Sequence, residues 1–459
     1  MSSTTRNQGA NGNGHGSSEA ARDAFPRLSP SAARGADGSP LVSADVDLTG
    51  RELYIPQMPY GGSFLLAAAL RAIGLDAKVT PDSDARTLEL GGRYTSGDEC
   101  YPQKVVMGDF MKLIEDEGID PSKLALLLPT ANGPCRFGQY AALQRRLMDD
   151  LGYEDVVILS ITSADGYAGI GEHAQELIRT AWRTVVANDI LMKLLLKTRP
   201  YEVNPGQTDE VYQKALEQVA AVVSRPQVAH GKRLEELKEA LRRVKADFAA
   251  IPVRDEERPL IGVVGEIFCR LNTFSNDELI RRIEAEGGEC WLAGVGEWLW
   301  YTNEERFRRF REEKRRVSKE WLKHWITTRV QHRDEHALMK VFEDVFRGYE
   351  EPEVPELLEY SRPYLPHSGA MGEMVLSTGG AIYLHGKGAD GVVDISPFSC
   401  MNGIVTEAVY PRVSREHDDM PIRVFYFDGT QSDLDRDVGI FLELAQTYKR
   451  RKKVHRARA

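Results

Sequence analysis

Apolar positions along this chain switch between two patterns. Short continuous runs, such as Leu124–Pro129 and LIGVVGEIF at 260–268, are bounded by Gly, Pro or polar clusters and read as buried parallel strands. Between them lie stretches with apolar residues at helical spacing. RELYIPQMPYGGSFLLAAALRAIGLDAKVTP predicts a strand at Leu53–Pro56, a turn, an amphipathic helix closed by Gly74 and a second strand. A short helix then leads into Leu88–Gly91, and Cys100 opens another. A helix from about Phe137 to Leu151 connects Leu124–Pro129 to a strand at Val156–Ile161. Strands and helices in this alternation indicate a doubly wound α/β domain.

From about residue 171 the pattern is helical, with a break at YEVNPGQ and further helices at Asp209–Ser224 and Lys232–Ala249. Strand signals return at 260–268 and ECWLAGV, with a helix at 276–286 between them. A charged helical stretch, EERFRRFREEKRRVSKEWLKHW, follows and reads as a solvated face with i,i+4 pairs. Then come a helix over Gly372–His385, the strand GVVDIS, a helix after Cys400, the strand IRVFYFD and a last helix. The expected fold class is α/β: two doubly wound, flavodoxin- or Rossmann-like parallel-sheet domains with a helical subdomain. The expected boundaries are a disordered tail (1–46), a first α/β domain (47–170), a helical subdomain (171–257), a second α/β domain (258–448) with a helical insertion near 303–358, and a solvated basic tail (449–459). The first tail lacks an apolar targeting segment and offers little surface to bury.

Composition narrows the function classes. The chain has 459 residues, 42% hydrophobic and 28% charged, as in soluble globular proteins. A formal net charge of −10 argues against a nucleic-acid-binding body, and no apolar run is long enough to span a bilayer. Five cysteines do not make a disulfide framework, so reduced thiols in the cytoplasm are expected.

Three of those cysteines share one setting. Cys100 (GDECYPQK), Cys135 (PTANGPCRFGQY) and Cys400 (DISPFSCMNG) each stand between a predicted strand and the next helix. In open α/β sheets ligands bind beyond the carboxyl ends of the strands. A thiol there also faces a positive helix end, which favours thiolate and an anionic cluster. Three such thiols suit an iron–sulfur cluster with one iron left open. The small Gly133 lets backbone approach a bulky ligand, and Arg136 offsets anionic charge. Backbone N–H groups around Gly133–Arg136 and at Asn402 and Gly403 moderate a cluster's charge. Cys269 and Cys290 read as structural, with Cys269 the reserve fourth ligand.

Glu266 and Arg270, at the end of a probable central strand, are candidates for proton transfer and substrate contact, as is His367 beside Glu373. The glycines of LSTGGAIYLHGKG suggest a phosphate loop only weakly, since they follow no strand. No Walker, GxSxG, HExxH, paired CxxC or GxGxxG motif is present.

On four segments the chain resembles the 2-hydroxyacyl-CoA dehydratase family, in the branch associated with CoA-enzyme activases. They are YTSGDECYPQKVVMGDFMKLIE, LLLPTANGPCRFGQYAALQR, GVVGEIFCRLNTFSN and DISPFSCMNGIVTEAVYPRV, and the likeness runs over roughly residues 50–435. The resemblance implies a 4Fe–4S cluster, or a larger double-cubane cluster, on Cys100, Cys135 and Cys400. It implies a separate ATP-dependent activase that injects a low-potential electron, a second dehydratase-type subunit, and an acyl-CoA substrate dehydrated through a radical. Two departures stand out. Gln103 occupies the place where several relatives carry the second cysteine of CYPC, and the ATPase portion of fused relatives has no counterpart. The alternatives are a double-cubane-type small-molecule reductase or electron-transfer subunit, and a non-catalytic accessory or scaffold subunit. Neither a membrane nor a nucleic-acid partner is expected.

Overall fold

The computed structural model describes residues 48–130, 135–160, 174–366, 372–430 and 433–458. Among them, eight strands form two four-stranded sheets in which every pairing is parallel. The first half contains β1 (Glu52–Ile55), α1 (Tyr60–Arg71), β2 (Asp76–Val79), α2 (Ala85–Tyr94), α3 (Tyr101–Glu115), β3 (Leu124–Leu127), α4 (Tyr140–Asp150) and β4 (Val157–Leu159). Three helices follow: α5 (Ala174–Thr198), α6 (Gln207–Val223) and α7 (His230–Ala249). The second half contains β5 (Leu260–Gly265), α8 (Ile267–Leu271), α9 (Leu279–Ala285), β6 (Glu289–Leu292), α10 (Val295–Glu312), α11 (Lys319–Met339), α12 (Val354–Ser361), α13 (Glu373–Lys387), β7 (Gly391–Pro397), α14 (Met401–Glu416), β8 (Ile422–Phe427) and α15 (Leu434–Arg458).

The strand orders are β2-β1-β3-β4 and β6-β5-β7-β8, the same arrangement twice. The sequence shows no short repeat, yet its two sheets repeat one topology. In each, strand order reverses between the first and third strands, so a crevice opens between their carboxyl ends. Helices cover both faces, which is why β3 and β7 are buried at every position and lack a polar alternation.

A helical layer joins the halves. α5 packs on α1 and also on β6, and its Trp182, Leu191 and Leu194 share a core with α6, α7 and α11. Within that layer the fully buried Arg183 pairs with Asp334 at 2.7 Å, and Arg179 reaches the same carboxylate at 2.9 Å. The C-terminal half of α11 is therefore anchored to α5 by charge as well as by Leu338.

Two helix pairs cross at backbone distance. A Cβ on Gly108 of α3 would stand 1.9 Å from the Thr87 carbonyl oxygen of α2, and one on Gly379 of α13 would stand 2.2 Å from that of Leu357 in α12. Gly379 and Gly380 thus lie inside a helix and serve packing, which removes the phosphate-loop reading. The basic C-terminus is also not a free tail: α15 continues through it, with Lys449 donating to the Arg258 carbonyl and Lys452 paired with Asp390 at 2.7 Å. The N-terminal tail, Gly133 and His367 lie outside the described residues.

Candidate metal and proton-transfer site

Each of the three cysteines is the residue immediately before a helix, in nearly the same extended conformation. The φ/ψ pairs are −70°/155° for Cys100 before α3, −68°/135° for Cys135 before the 3-10 turn Arg136–Gln139 that leads into α4, and −68°/132° for Cys400 before α14. This is N-cap geometry, in which a side chain satisfies the first free N–H groups of a helix. Here the sulfurs make no capping hydrogen bond, but the nearby backbone groups of Gln103 at Cys100, of Phe137 at Cys135, and of Asn402 and Gly403 at Cys400 act on them to ease the thiolate. Ser399, just before the last of these, is held at φ 62°, a region that disfavours a side chain. Gly403 has a steric role too: a Cβ there would lie 2.2 Å from Ser396 Oγ on β7.

Cys135 and Cys400 follow the third strand of their respective sheets, and Glu266 follows β5 beside the crevice of the second. Glu266 caps α8, its carboxylate accepting from the N–H groups of Phe268 at 3.0 Å and Cys269 at 2.8 Å. Glu373, the first residue of α13, accepts from Ile267 N–H at 3.4 Å and from the Asn402 side-chain amide. It therefore ties together the N-termini of α8, α13 and α14. The Glu266 charge acts on all three thiols, that of Glu373 on Cys135 and Cys400, and Cys100 acts on Cys135. Five helix N-termini are thus brought into one electrostatic neighbourhood.

The protonation states correct one expectation. Helix N-termini were expected to favour thiolate, yet all three thiols are pushed the other way. Burial raises Cys100 despite its bond to Tyr140; Cys135 keeps access to solvent, but the protein around its sulfur raises it to about 11; burial and the Glu266 charge raise Cys400 to about 12. Desolvation and two carboxylates outweigh the backbone donors. The same burial raises Glu266 and Glu373, each worsened or eased by its neighbours: the Glu373 charge adds to the rise at Glu266, and Arg270 opposes it at both. Glu297, largely buried beside Arg270, is raised by that burial to about 7. Arg270 is 3% exposed, with Glu297 at 3.9 Å and its Nε without a partner among the described residues. One guanidinium facing several buried carboxyls leaves some of them protonated near neutral pH.

Of the residues singled out from sequence, Cys100, Cys135, Cys400, Glu266, Arg270, Asn402 and Gly403 share this neighbourhood. Arg136 joins them at the edge, bonded to the Asp98 carbonyl at 2.6 Å in the turn that leads to Cys100. Cys269 is fully buried and points at the Ser275 carbonyl (3.7 Å), and Cys290 is enclosed in β6, so both serve packing. Sequence reading missed Tyr140, whose hydroxyl meets the Cys100 sulfur, and Glu297. Tyr140 carried a faint signal, as the aromatic that opens the helix after Cys135. Glu297 carried none, since it opens a helix with no cysteine.

Three thiols at helix starts are the donor type that an iron–sulfur cluster takes. Among the described residues, no three His, Cys, Asp or Glu side chains gather closely enough to hold one metal ion. The Asn402 side-chain oxygen, buried and without a partner among the described residues, is a further polar group directed into this neighbourhood. An enclosed cavity of about 20 Å³ lies elsewhere, against Asp189, Lys193 and Tyr349, and has room for one water. Comparison with protein-family models and with curated proteins finds no match for this chain. No helix among the described residues is long and apolar enough to cross a membrane.

Proposed function

We propose that the chain is the iron–sulfur subunit of an activase-dependent system resembling the 2-hydroxyacyl-CoA dehydratases and their reductase relatives. The observation that carries this reading is the set of three cysteines at helix N-cap positions beside two like-wound sheets, all within the field of Glu266. Cys100, Cys135 and Cys400 would hold a 4Fe–4S or larger cluster, with the backbone of Gln103, Phe137, Asn402 and Gly403 close enough to act on their sulfurs. The group, when bound, supplies one-electron chemistry and an open Lewis-acidic position.

The chain's own residues supply the rest. The three thiols would have to give up their protons to ligate iron, because only thiolates ligate. Glu266 and Glu373 are raised carboxyls at the same place and hold or return protons there. Arg270 sets their charge and is a positioning residue. An activase in a separate chain would deliver the electron, and an acyl-CoA is the substrate class that the motif resemblance favours.

The test is anaerobic purification with iron and acid-labile sulfide analysis and EPR after dithionite reduction, wild type beside Cys135→Ala. A reducible cluster in the wild type, lost or altered in the variant while circular dichroism is unchanged, supports the assignment. A folded wild type that neither carries iron and sulfide nor takes them up on reconstitution removes it.

A further inference from the structure

The hairpin formed by α10 and α11 carries a second surface, unrelated to the cysteines. Its turn is exposed at every position from Arg311 to Val317, and Val317 is 97% exposed. On the first half of α11, His324 and Thr328 face inward. Leu322, Trp325 and Ile326 face solvent at 51%, 40% and 50% exposure, with Arg329 one turn on and over the Trp325 ring at 5.3 Å. The spacing i, i+3, i+4, i+7 makes this one outward stripe. The solvated charged face expected from sequence is therefore also an apolar one.

The charges around it are unequal. The acidic residues of the turn are already occupied: Glu312 by Arg308 at 2.6 Å, and Glu313 and Glu320 by Arg315 at 3.3 and 3.2 Å. Lys314, Arg316, Lys319 and Lys323 have no ion-pair partner among the described residues. Lys314 moreover takes φ 56° just past α10, where Gly is the usual residue. A convex tip with bulky apolar groups and free cations, on a chain of net charge −10, is a local reversal of sign.

We infer that this tip docks on an anionic lipid surface. Trp, Leu, Ile and Val enter the headgroup boundary while the lysines and arginine meet lipid phosphates, the division of labour of interfacial amphipathic helices. A protein partner fits less well, because a stable interface takes roughly 20–30 residues from each side, often around a pocket, and this stripe is short and convex. Each basic residue near an anionic surface strengthens partitioning about fivefold, so the four free cations suffice for reversible binding.

The test uses the full chain and sedimentation with vesicles of phosphatidylcholine alone or with one-quarter phosphatidylglycerol. The wild type is expected to sediment with the anionic vesicles, roughly 600-fold less with neutral ones, and less with anionic ones at raised salt. Leu322→Ala/Trp325→Ala is expected to weaken binding roughly tenfold, and Lys319→Gln/Lys323→Gln about 25-fold on anionic vesicles. Absence of wild-type binding to anionic vesicles, or binding indifferent to both variants, overturns the inference. So does a wild-type dimer in sedimentation velocity that Leu322→Ala/Trp325→Ala converts to monomer without any vesicle binding, which would make a second copy the occupant.

Discussion

Replacing Gly108 by Ala should separate α2 and α3, the helices on either side of Cys100. In isolation the change favours a helix by about 1 kcal/mol, since Ala restricts the unfolded chain and Gly does not. Here a Cβ on Gly108 would sit 1.9 Å from the Thr87 carbonyl oxygen and 3.0 Å from the Gly91 nitrogen. Both obstacles are backbone, so no side chain can swing aside, and α2 and α3 must part by more than about 1 Å. A gap of that size forfeits a quarter to a half of each contact along the crossing. Overpacking of this kind typically destabilises by about 1–3 kcal/mol, and a rigid obstacle puts the gross cost at or above the top of that range. Net of helix propensity, a loss of about 2–3 kcal/mol is expected. Hydrogen–deuterium exchange read on α2 and α3 peptides reports this locally, which suits a chain too large for one two-state transition. Exchange there should quicken by about 30- to 150-fold. The control is Gly92→Ala on α2, where a Cβ meets nothing within 4 Å and exchange should slow. If Gly108→Ala also slowed exchange, the backbone crossing would not exist as described.

Two further outcomes follow from buried polar groups. Asp109 is 1% exposed, accepts from Ser83 at 2.7 Å and Thr87 at 2.8 Å, faces Lys112 and Asp84, and is raised by burial to about 7. A carboxyl raised in the folded state contributes full stability below its ordinary value near 4 and loses it as pH climbs through 7. Asp109→Asn should therefore gain about 2–4 kcal/mol at pH 8 and nothing at pH 4, read from exchange protection of α2 and α3 peptides, and a difference that does not change with pH would contradict it. Tyr140→Phe removes the hydroxyl that opposes the rise at Cys100. The pH of half-maximal alkylation of Cys100, followed by peptide mass mapping, should move upward in that variant; a downward move would refute the assignment.

Much of this was legible in the chain. Continuous apolar runs marked β3, β5 and β7, helical periodicity marked the crossovers, and the Gly-, Pro- and Ser-rich turns marked the junctions where Cys100, Cys135 and Cys400 stand. The reason is local: burial on both faces removes alternation, and N-cap positions demand particular backbone. What sequence reading misjudged was environment. The thiolate expectation weighed a helix end but not desolvation or the Glu266 charge, which come from residues far along the chain. The glycines at 379 and 380 looked like a loop because their purpose, contact with the Leu357 carbonyl of α12, is invisible without the partner helix.

The sequence by itself determined the parallel α/β class and the two thiols, Cys135 and Cys400, at strand-to-helix junctions, because each follows from spacing and turn chemistry within a few neighbouring residues; Cys100, expected at a third such junction, instead joins helix α2 to α3. Only the tertiary structure decided that the two sheets share one strand order, that Glu373, Asn402 and Tyr140 meet the cysteines, and that Leu322, Trp325 and Ile326 point away from the core. Those facts depend on which helices cross and which faces remain uncovered, and such contacts join residues tens to hundreds of positions apart.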